Sequence, residues 1–364
     1  GTATITNNTD ATIRSDSTSI DEAAIVIKDI TGTLNITNEG SMTGPNGLIV
    51  DNSIITFANT GTVNATVGEV LLLKDNAFVN LTNSGTMSGI KGINFNGTTF
   101  TASNSGTVTS SGNDNAAVYN TGTITNLINT GTGTWQGTGA SNSYGLYSEG
   151  SIARTENSGS IISTNSSGLY NTGTLTTLIN ATGSGIISST ESHGIQNDGT
   201  ITWLINSASI SASISASNTA SYGVYNTSPN TIVNFVNDGS ISSNSDGVNN
   251  NPGAITNFEN AGTISSGAGF FDINNTSGSI TNLYNNQGAA TSALTFTGNL
   301  PSNYFITIEG ISDYGQLAVT SGMGDMNFSI TPGSVIGVPN TTQVTYDSTA
   351  TLNPSDGVAY KING

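Results

Sequence analysis

Aliphatic and aromatic residues recur along this chain at short, regular intervals, usually one or two positions after Gly-Thr, Gly-Ser or Ser-Gly. A phrase of the form Gly-aliphatic-Tyr-Asn, continued by x-Gly-Thr-Ile, begins at Gly145, Gly168, Gly194, Gly223 and Gly247. Weaker copies align at Leu48, Val70, Ile93 and Val118 upstream and at Phe270 downstream, giving spacings between 22 and 29 residues. Each unit holds two further strand-like phrases, one of the type Ile124-Thr125-Asn126-Leu127-Ile128-Asn129 and one of the type Gly262-Thr263-Ile264-Ser265-Ser266. Three strands of three to five residues per unit, cornered by Gly, Asn or Ser, predict an all-β fold, a parallel β-helix. With an irregular first turn near Ile25 the coil has about ten to eleven turns, roughly 50 Å at ~4.8 Å per layer. Alternation aims the aliphatics into the bore and the intervening Thr, Asn and Tyr outward.

Neighbouring repeat folds fit less well. A leucine-rich repeat needs several Leu per unit and often a helical return, and a propeller blade needs ~40 residues in four antiparallel strands. From about residue 290 longer alternating strands replace the repeats, at Ala293–Phe296, Phe305–Ile308, Gln316–Val319 and Met326–Ile330, punctuated by Pro301, Pro332, Pro339 and Pro354. Residues 1–289 are therefore read as the repeat domain and 290–364 as a C-terminal β cap that covers the last turn's open edge.

Composition agrees with this architecture. Asn (48), Thr (56), Ser (48) and Gly (45) make up 197 of 364 residues, while charged residues are only 8% and the net charge is −17. The charge comes from a shortage of Lys and Arg, which excludes nucleic acid as a partner. In a stacked coil identical residues lie above one another, so a repeated charge would repel along a whole column. Asn carries no such penalty. Asn59, Asn83, Asn104, Asn120, Asn157, Asn171, Asn197, Asn237 and Asn260 each stand two residues before a Gly, where the amides can bond along the column and Asn tolerates a left-handed corner.

With zero Cys the chain has neither disulfides nor thiolate metal sites. No run of 18 apolar residues suggests a membrane span or a retained signal peptide, and Gly1 followed by Thr2-Ala3-Thr4-Ile5-Thr6 suits a mature end left by cleavage.

The repeated Asn-Ser/Thr-Gly-Thr/Ser-Ile phrases, with Ile311-Ser312-Asp313-Tyr314-Gly315-Gln316-Leu317-Ala318-Val319 near the end, resemble the passenger region of a bacterial autotransporter. The repeats cover about 250 residues and are generic to that group, whereas the Tyr-Gly-Gln-Leu-Ala-Val phrase is short and more pointed. The resemblance implies a right-handed β-helix exported through an outer-membrane β-barrel translocator and displayed on the bacterial surface, with a C-terminal module that assists folding. Alternating, aromatic-girdled barrel sequence is not part of these 364 residues, so the chain is expected to be a piece of such a protein.

The candidate chemistry is sparse. Enzymatic β-helices gather acids and bases on one sheet. Here His193, the one His, is expected in an exposed corner, and no Gly-x-Ser-x-Gly elbow precedes a helix. Asp16, Asp21 and Glu22, or Asp313 and Asp325, offer paired carboxylates, scattered over ends and caps. The chain is thus expected to be no enzyme and to need no cofactor. Ca2+ is the one ion considered, through Asn113-Asp114-Asn115 or Asp246 with Asn249 to Asn251, without the Gly-Gly-x-Gly-x-Asp nonapeptide or an EF-hand loop.

Tyr119, Tyr147, Tyr170 and Tyr225 occupy one repeat position and form an outward file, which either stacks on sugar rings or stacks on itself and stiffens the sheet. Two longer turns, Thr134 to Ser143 with Trp135 and Ser211 to Ser221, precede Ser-Tyr-Gly and are expected on one edge. Together these features lead to an expected adhesive rod whose partners are other cells, extracellular matrix or glycans. A self-assembling surface layer or filament and a polysaccharide-acting enzyme are the alternatives.

Overall fold

The computed structural model describes residues 2–74, 77–213, 221–227, 229–287, 293–310, 313–332 and 351–352. Short strands follow one another through three parallel sheets in rotation, so that each sheet takes every third strand and the chain climbs one layer per turn. The result is a β-solenoid of about 12 turns, slightly more than the spacing predicts. Among the described residues there is no helix.

One full turn shows why these residues fold this way. Thr123–Asn129 lies in the first sheet, Thr134–Gly137 in the second and Ser143–Ser148 in the third. Ile124 and Leu127 from the first strand, Trp135 from the second and Leu146 from the third are at most 1% exposed. They fill the bore, and alternation turns their neighbours outward. The next layers repeat the placement: Val108, Trp135, Ile161, Ile187, Ile210, Ile241 and Ile264 form one buried column in register.

Several details differ from the sequence reading. The third-sheet column runs Ile25, Leu48, Leu71, Ile93, so Leu71 and not Val70 is the register partner, although both are fully buried. At the other end Ile273 pairs with Val248, whereas Phe270 lies in the preceding turn and is 41% exposed. The bore itself takes an aromatic one layer on, where Phe296 pairs with Ile273, but Phe270 precedes the strand Ile273–Asn275 and does not enter it.

The Asn prediction needs a larger correction. The nine residues are buried and face inward, not outward, and none has a positive φ; among the described non-glycine residues that region is taken by Asp10, Asp29, Asn52, Asp114 and Asn142. The nine divide between two internal ladders. In the first sheet Asn7, Asn38, Asn59, Asn83, Asn104, Asn129, Asn157, Asn180, Asn206 and Asn237 each pass Nδ2–H to the next residue's Oδ1, at 2.7–2.9 Å, and the ladder ends at Asn260, which accepts from Asn237 and whose own Nδ2 is buried without an acceptor. In the third sheet Asn171, Asn197, Asn226 and Asn250 do the same at 2.7–2.8 Å, ending at Asn275, which donates to the Asn299 carbonyl. Asn120 reaches only Ser148 Oγ, at 3.1 Å. An inward amide is tolerated because its polar atoms bond to the layers above and below.

The boundary expected at 289/290 lies outside the described residues, as do Pro339 and Pro354. On the far side, Leu294–Asn299 and Leu317–Met323 extend the third sheet, and Asn303–Ile306 and Met326–Ile330 extend the first. The second sheet ends at Thr263–Ser265. Thr351–Leu352 pairs antiparallel with Met326–Asn327, against the last parallel strand of the first sheet.

Candidate functional site

The outer face of the third sheet carries a file of half-buried tyrosines. Register places Asn94, Tyr119, Tyr147, Tyr170, Gln196, Tyr225 and Asn249 one above another. Tyr119, Tyr147 and Tyr170 are neighbours, with ring centroids 5.1 and 4.8 Å apart. Tyr144 joins them at 5.1 Å from both Tyr147 and Tyr170. Gln196 separates Tyr225 from this group, and Tyr225 instead packs with Tyr222 and His193.

Carboxylates in the next corner hold the hydroxyls. Tyr119 and Tyr147 donate to the two oxygens of Glu149 at 2.7 and 2.5 Å, and Tyr170 donates to Asp198 at 2.8 Å. Burial, and then the bond to Glu149, pushes the Tyr147 hydroxyl up to about 12. Tyr119 and Tyr170 are raised for the same reasons, by burial first and then by Glu149 and Asp198 respectively. These phenols therefore remain neutral donors at any ordinary pH.

His193 is not in an exposed corner. Its ring lies parallel to Tyr222 at 5.1 Å, and its Nδ1 accepts the Tyr222 backbone N–H at 3.1 Å. Burial lowers its pKa to about 4, against the partial opposing pull of Asp198. Tyr222 stands 29 residues further on, so the partner that buries His193 belongs to the next layer.

Trp135 is also misplaced by the sequence reading. It is 1% exposed in the bore, within the strand Thr134–Gly137, and cannot meet a ligand. The phrase Gly133-Thr134-Trp135-Gln136-Gly137 is a copy of the Gly-Thr-Ile-Ser-Ser strand with an aromatic at the inward position. The second long turn, Ser211 to Ser221, falls for the most part outside the described residues.

A groove of about 340 Å3 opens at the upper end of the tyrosine stack, lined by Glu69, Lys91, Asn94, Asn115, Tyr119 and Tyr147 among others. Sequence reasoning missed it because Glu69 and Lys91 belong to the irregular early turns and have no charged counterpart in the later repeats, and Asn94 stands where the next three layers carry Tyr. Comparison of the chain with protein-family models, with curated proteins and with solved structures finds no match in any of the three. Glu69 is 5% exposed and accepts from Lys91 Nζ at 3.1 Å, an ion pair between adjacent layers. Asn94 Oδ1 is buried without a hydrogen-bond donor.

The carboxylates and the Asn113 oxygen of the two Ca2+ candidates are engaged with the protein itself, whereas Asn249 Oδ1 is buried without a donor. Asn113 Oδ1 accepts the backbone N–H groups of Ala140 and Ser141, and Asp114 accepts from Asn142 Nδ2. Asp246 accepts from Asn249, Asn274 and the Phe271 N–H. Among the described residues no three His, Cys, Asp or Glu side chains gather into a metal-binding group.

Proposed function

We propose that this chain is an adhesive, non-catalytic rod of the bacterial surface, an autotransporter passenger region carried out through an outer-membrane barrel. Its partners are other cells, extracellular matrix or glycans. The observation that carries the reading is the continuous aromatic and acidic stripe of Tyr119, Tyr144, Tyr147 and Tyr170 with Glu149 on the outside of a stacked coil. Aromatic rings with polar tips, held by neighbours and partly exposed, suit contact surfaces. The repeated Asn-x-Gly phrases and the Tyr314–Val319 phrase support the autotransporter resemblance. Cells displaying the chain with Tyr147→Ser and Tyr170→Ser should lose adhesion at least several-fold relative to cells displaying the natural sequence. Equal adhesion at equal surface density removes the proposal.

A second reading, homotypic assembly, is favoured by an external amide ladder on the first sheet. There Asn257, Asn282, Asn303 and Asn327 each donate to the preceding member of the column, beginning at Asn234, at 2.8–3.1 Å. Such a charge-free column can register against a second copy of itself. Regular oligomers in gentle extraction that vanish on Asn282→Lys support this reading. A monomer at all concentrations does not.

A further inference from the structure

We infer that the groove above Tyr119 is a binding site for a neutral pyranose ring. The inference rests on the adhesive reading in that it gives the contact surface a ligand class. Three independent features converge on it.

The first is the geometry of the stack. Within the tyrosine file each ring covers its neighbours, so ring faces are used up along the column. Tyr119 is the end of the file: its aromatic neighbour is Tyr147, and the register partner on its other side is Asn94. Tyr119 and Tyr147 both line the groove, which gives it aromatic surface to take the apolar face of a sugar ring, as aromatic rings commonly do with flat amphipathic ligands.

The second is an unmet polar demand. Asn94 lines the groove with its side chain half-buried, and its covered Oδ1 accepts no hydrogen bond among the described residues, so a rotation of the amide toward the groove would let a ligand O–H satisfy it. Nearby acceptors include the buried Glu69 carboxylate and Asp114 at the rim, while Lys91 Nζ is a donor beside Glu69. A wall that sets carboxylate and amide oxygens beside amide and ammonium donors fits a ligand whose many O–H groups both donate and accept, which describes a sugar better than a lipid or a peptide carbonyl.

The third is charge. Lys91 and Glu69 compensate each other at 3.1 Å, and Asp114 and Glu149 then leave the groove's surroundings with an excess of carboxylates. A uronic or sialic acid would be repelled there, whereas a neutral ring would not. The volume of about 340 Å3 lies at the small end of ligand sites, roughly 300–1,000 Å3, and suits one ring.

The test is a titration of the purified full chain with neutral methyl pyranosides and with methyl glucuronide, followed by ligand-observed NMR. Saturable binding of at least one neutral pyranoside at ~1 mM strength is expected, as for one ring held by a few contacts. The glucuronide should bind at least tenfold more weakly. Asn94→Leu removes the unmet acceptor and blocks its place, and should weaken binding at least tenfold without lowering the melting temperature. Tyr225→Ser, in the separate cluster, should leave binding unchanged. A neutral oligosaccharide that binds more tightly than the methyl glycoside assigns the site to a glycan chain, and equal binding assigns it to a free sugar; both uphold the inference. Failure of every neutral pyranoside to saturate, equal or tighter binding of glucuronide, or an Asn94→Leu variant that binds as well as the natural chain overturns it. Should the sugar titrations fail while displayed cells still adhere through Tyr170, the inference falls and the adhesive reading stands.

Discussion

Ser148 interrupts an otherwise continuous internal amide column. It accepts from Asn120 above, yet Asn171 Oδ1 in the layer below remains buried without a donor. Asparagine at this position would accept from Asn120 and donate to Asn171, in the geometry the same column uses from Asn171 to Asn275. One restored buried bond contributes about 1 kcal/mol, so Ser148→Asn should raise the melting temperature by ~1–3 °C in a thermal scan. His193 gives a second test at this scale. The unfolded chain takes up the proton near the usual histidine value of ~6.5, while the folded one resists until about 4. The unfolded state thus binds more protons within that window, and stability is full above it and falls as the pH drops through it. The loss is of order 1–3 kcal/mol, given that the ring is only partly exposed. His193→Gln should flatten the difference between unfolding measured at pH 7 and at pH 4.5. The two residues differ in how far they can be read from sequence. A ladder amide recurs every turn and announces itself, but the ring that covers His193 comes from the following layer and repeats only at Tyr144 and Tyr222. Inward and outward Asn also look alike in sequence, because a polar residue in the bore is tolerated only through partners that stacking supplies.

At the scale of the strand and its corner, the Gly that follows each ladder Asn has a steric role. The φ of Gly61, Gly85 and Gly106 is not positive, so the left-handed region is not what selects them. A Cβ on Gly85 would sit 2.0 Å from the carbonyl oxygen of Gly61 in the adjacent layer, and one on Gly106 equally close to that of Gly85. Successive corners approach backbone to backbone, which no side chain permits. Gly85→Ala must push two layers apart and should cost at least ~2 kcal/mol, seen as an earlier urea midpoint with an unchanged slope. Charge obeys the same stacking rule. Where charged side chains do stack they alternate in sign, as in Lys28, Asp51 and Lys74 or in Glu69 and Lys91. Elsewhere a neutral neighbour intervenes, as Ile128 and Ile179 do around Glu156. Scarcity of charge, plain in the composition, is therefore a property of the columns. The groove around Asn94 was illegible for the converse reason: its tyrosines belong to the repeat, but Glu69 and Lys91 opposite them are exceptions to it.

For the whole molecule, each layer bonds mainly to the layers directly above and below, and length is added one turn at a time. Loops alter the spacing without altering this rule. Ser160 pairs with Ile186 and Asn157 pairs with Asn180, so the corner between first and second sheets is three residues longer in one turn than in the previous one, and both sheets stay in register. This arrangement makes a deletion experiment decisive. Removing residues 158–180 takes out one strand from each sheet, Ser160–Ser163, Leu169–Asn171 and Thr174–Asn180. Asn157 would then continue into Ala181, whose backbone N–H already meets the Asn157 carbonyl at 2.8 Å in the adjacent layer. Ser151–Asn157 would rest on Thr200–Asn206 with Asn over Asn, and the bore would close over the missing layer. The shortened chain should fold with unchanged β-type circular dichroism and a slightly lower melting temperature, because a nearest-neighbour stack loses one unit and one interface. Removing residues 158–173 instead deletes two strands of three and delivers Thr174–Asn180, a first-sheet strand, to a second-sheet position. Its longer apolar pattern and its inward Asn180 would meet the isoleucine column of the second sheet with no amide partner, so this variant should aggregate or fail to fold. Two deletions of similar size with opposite outcomes are expected only of a coil with three strands per turn; similar behaviour of both would contradict the layered pairing itself.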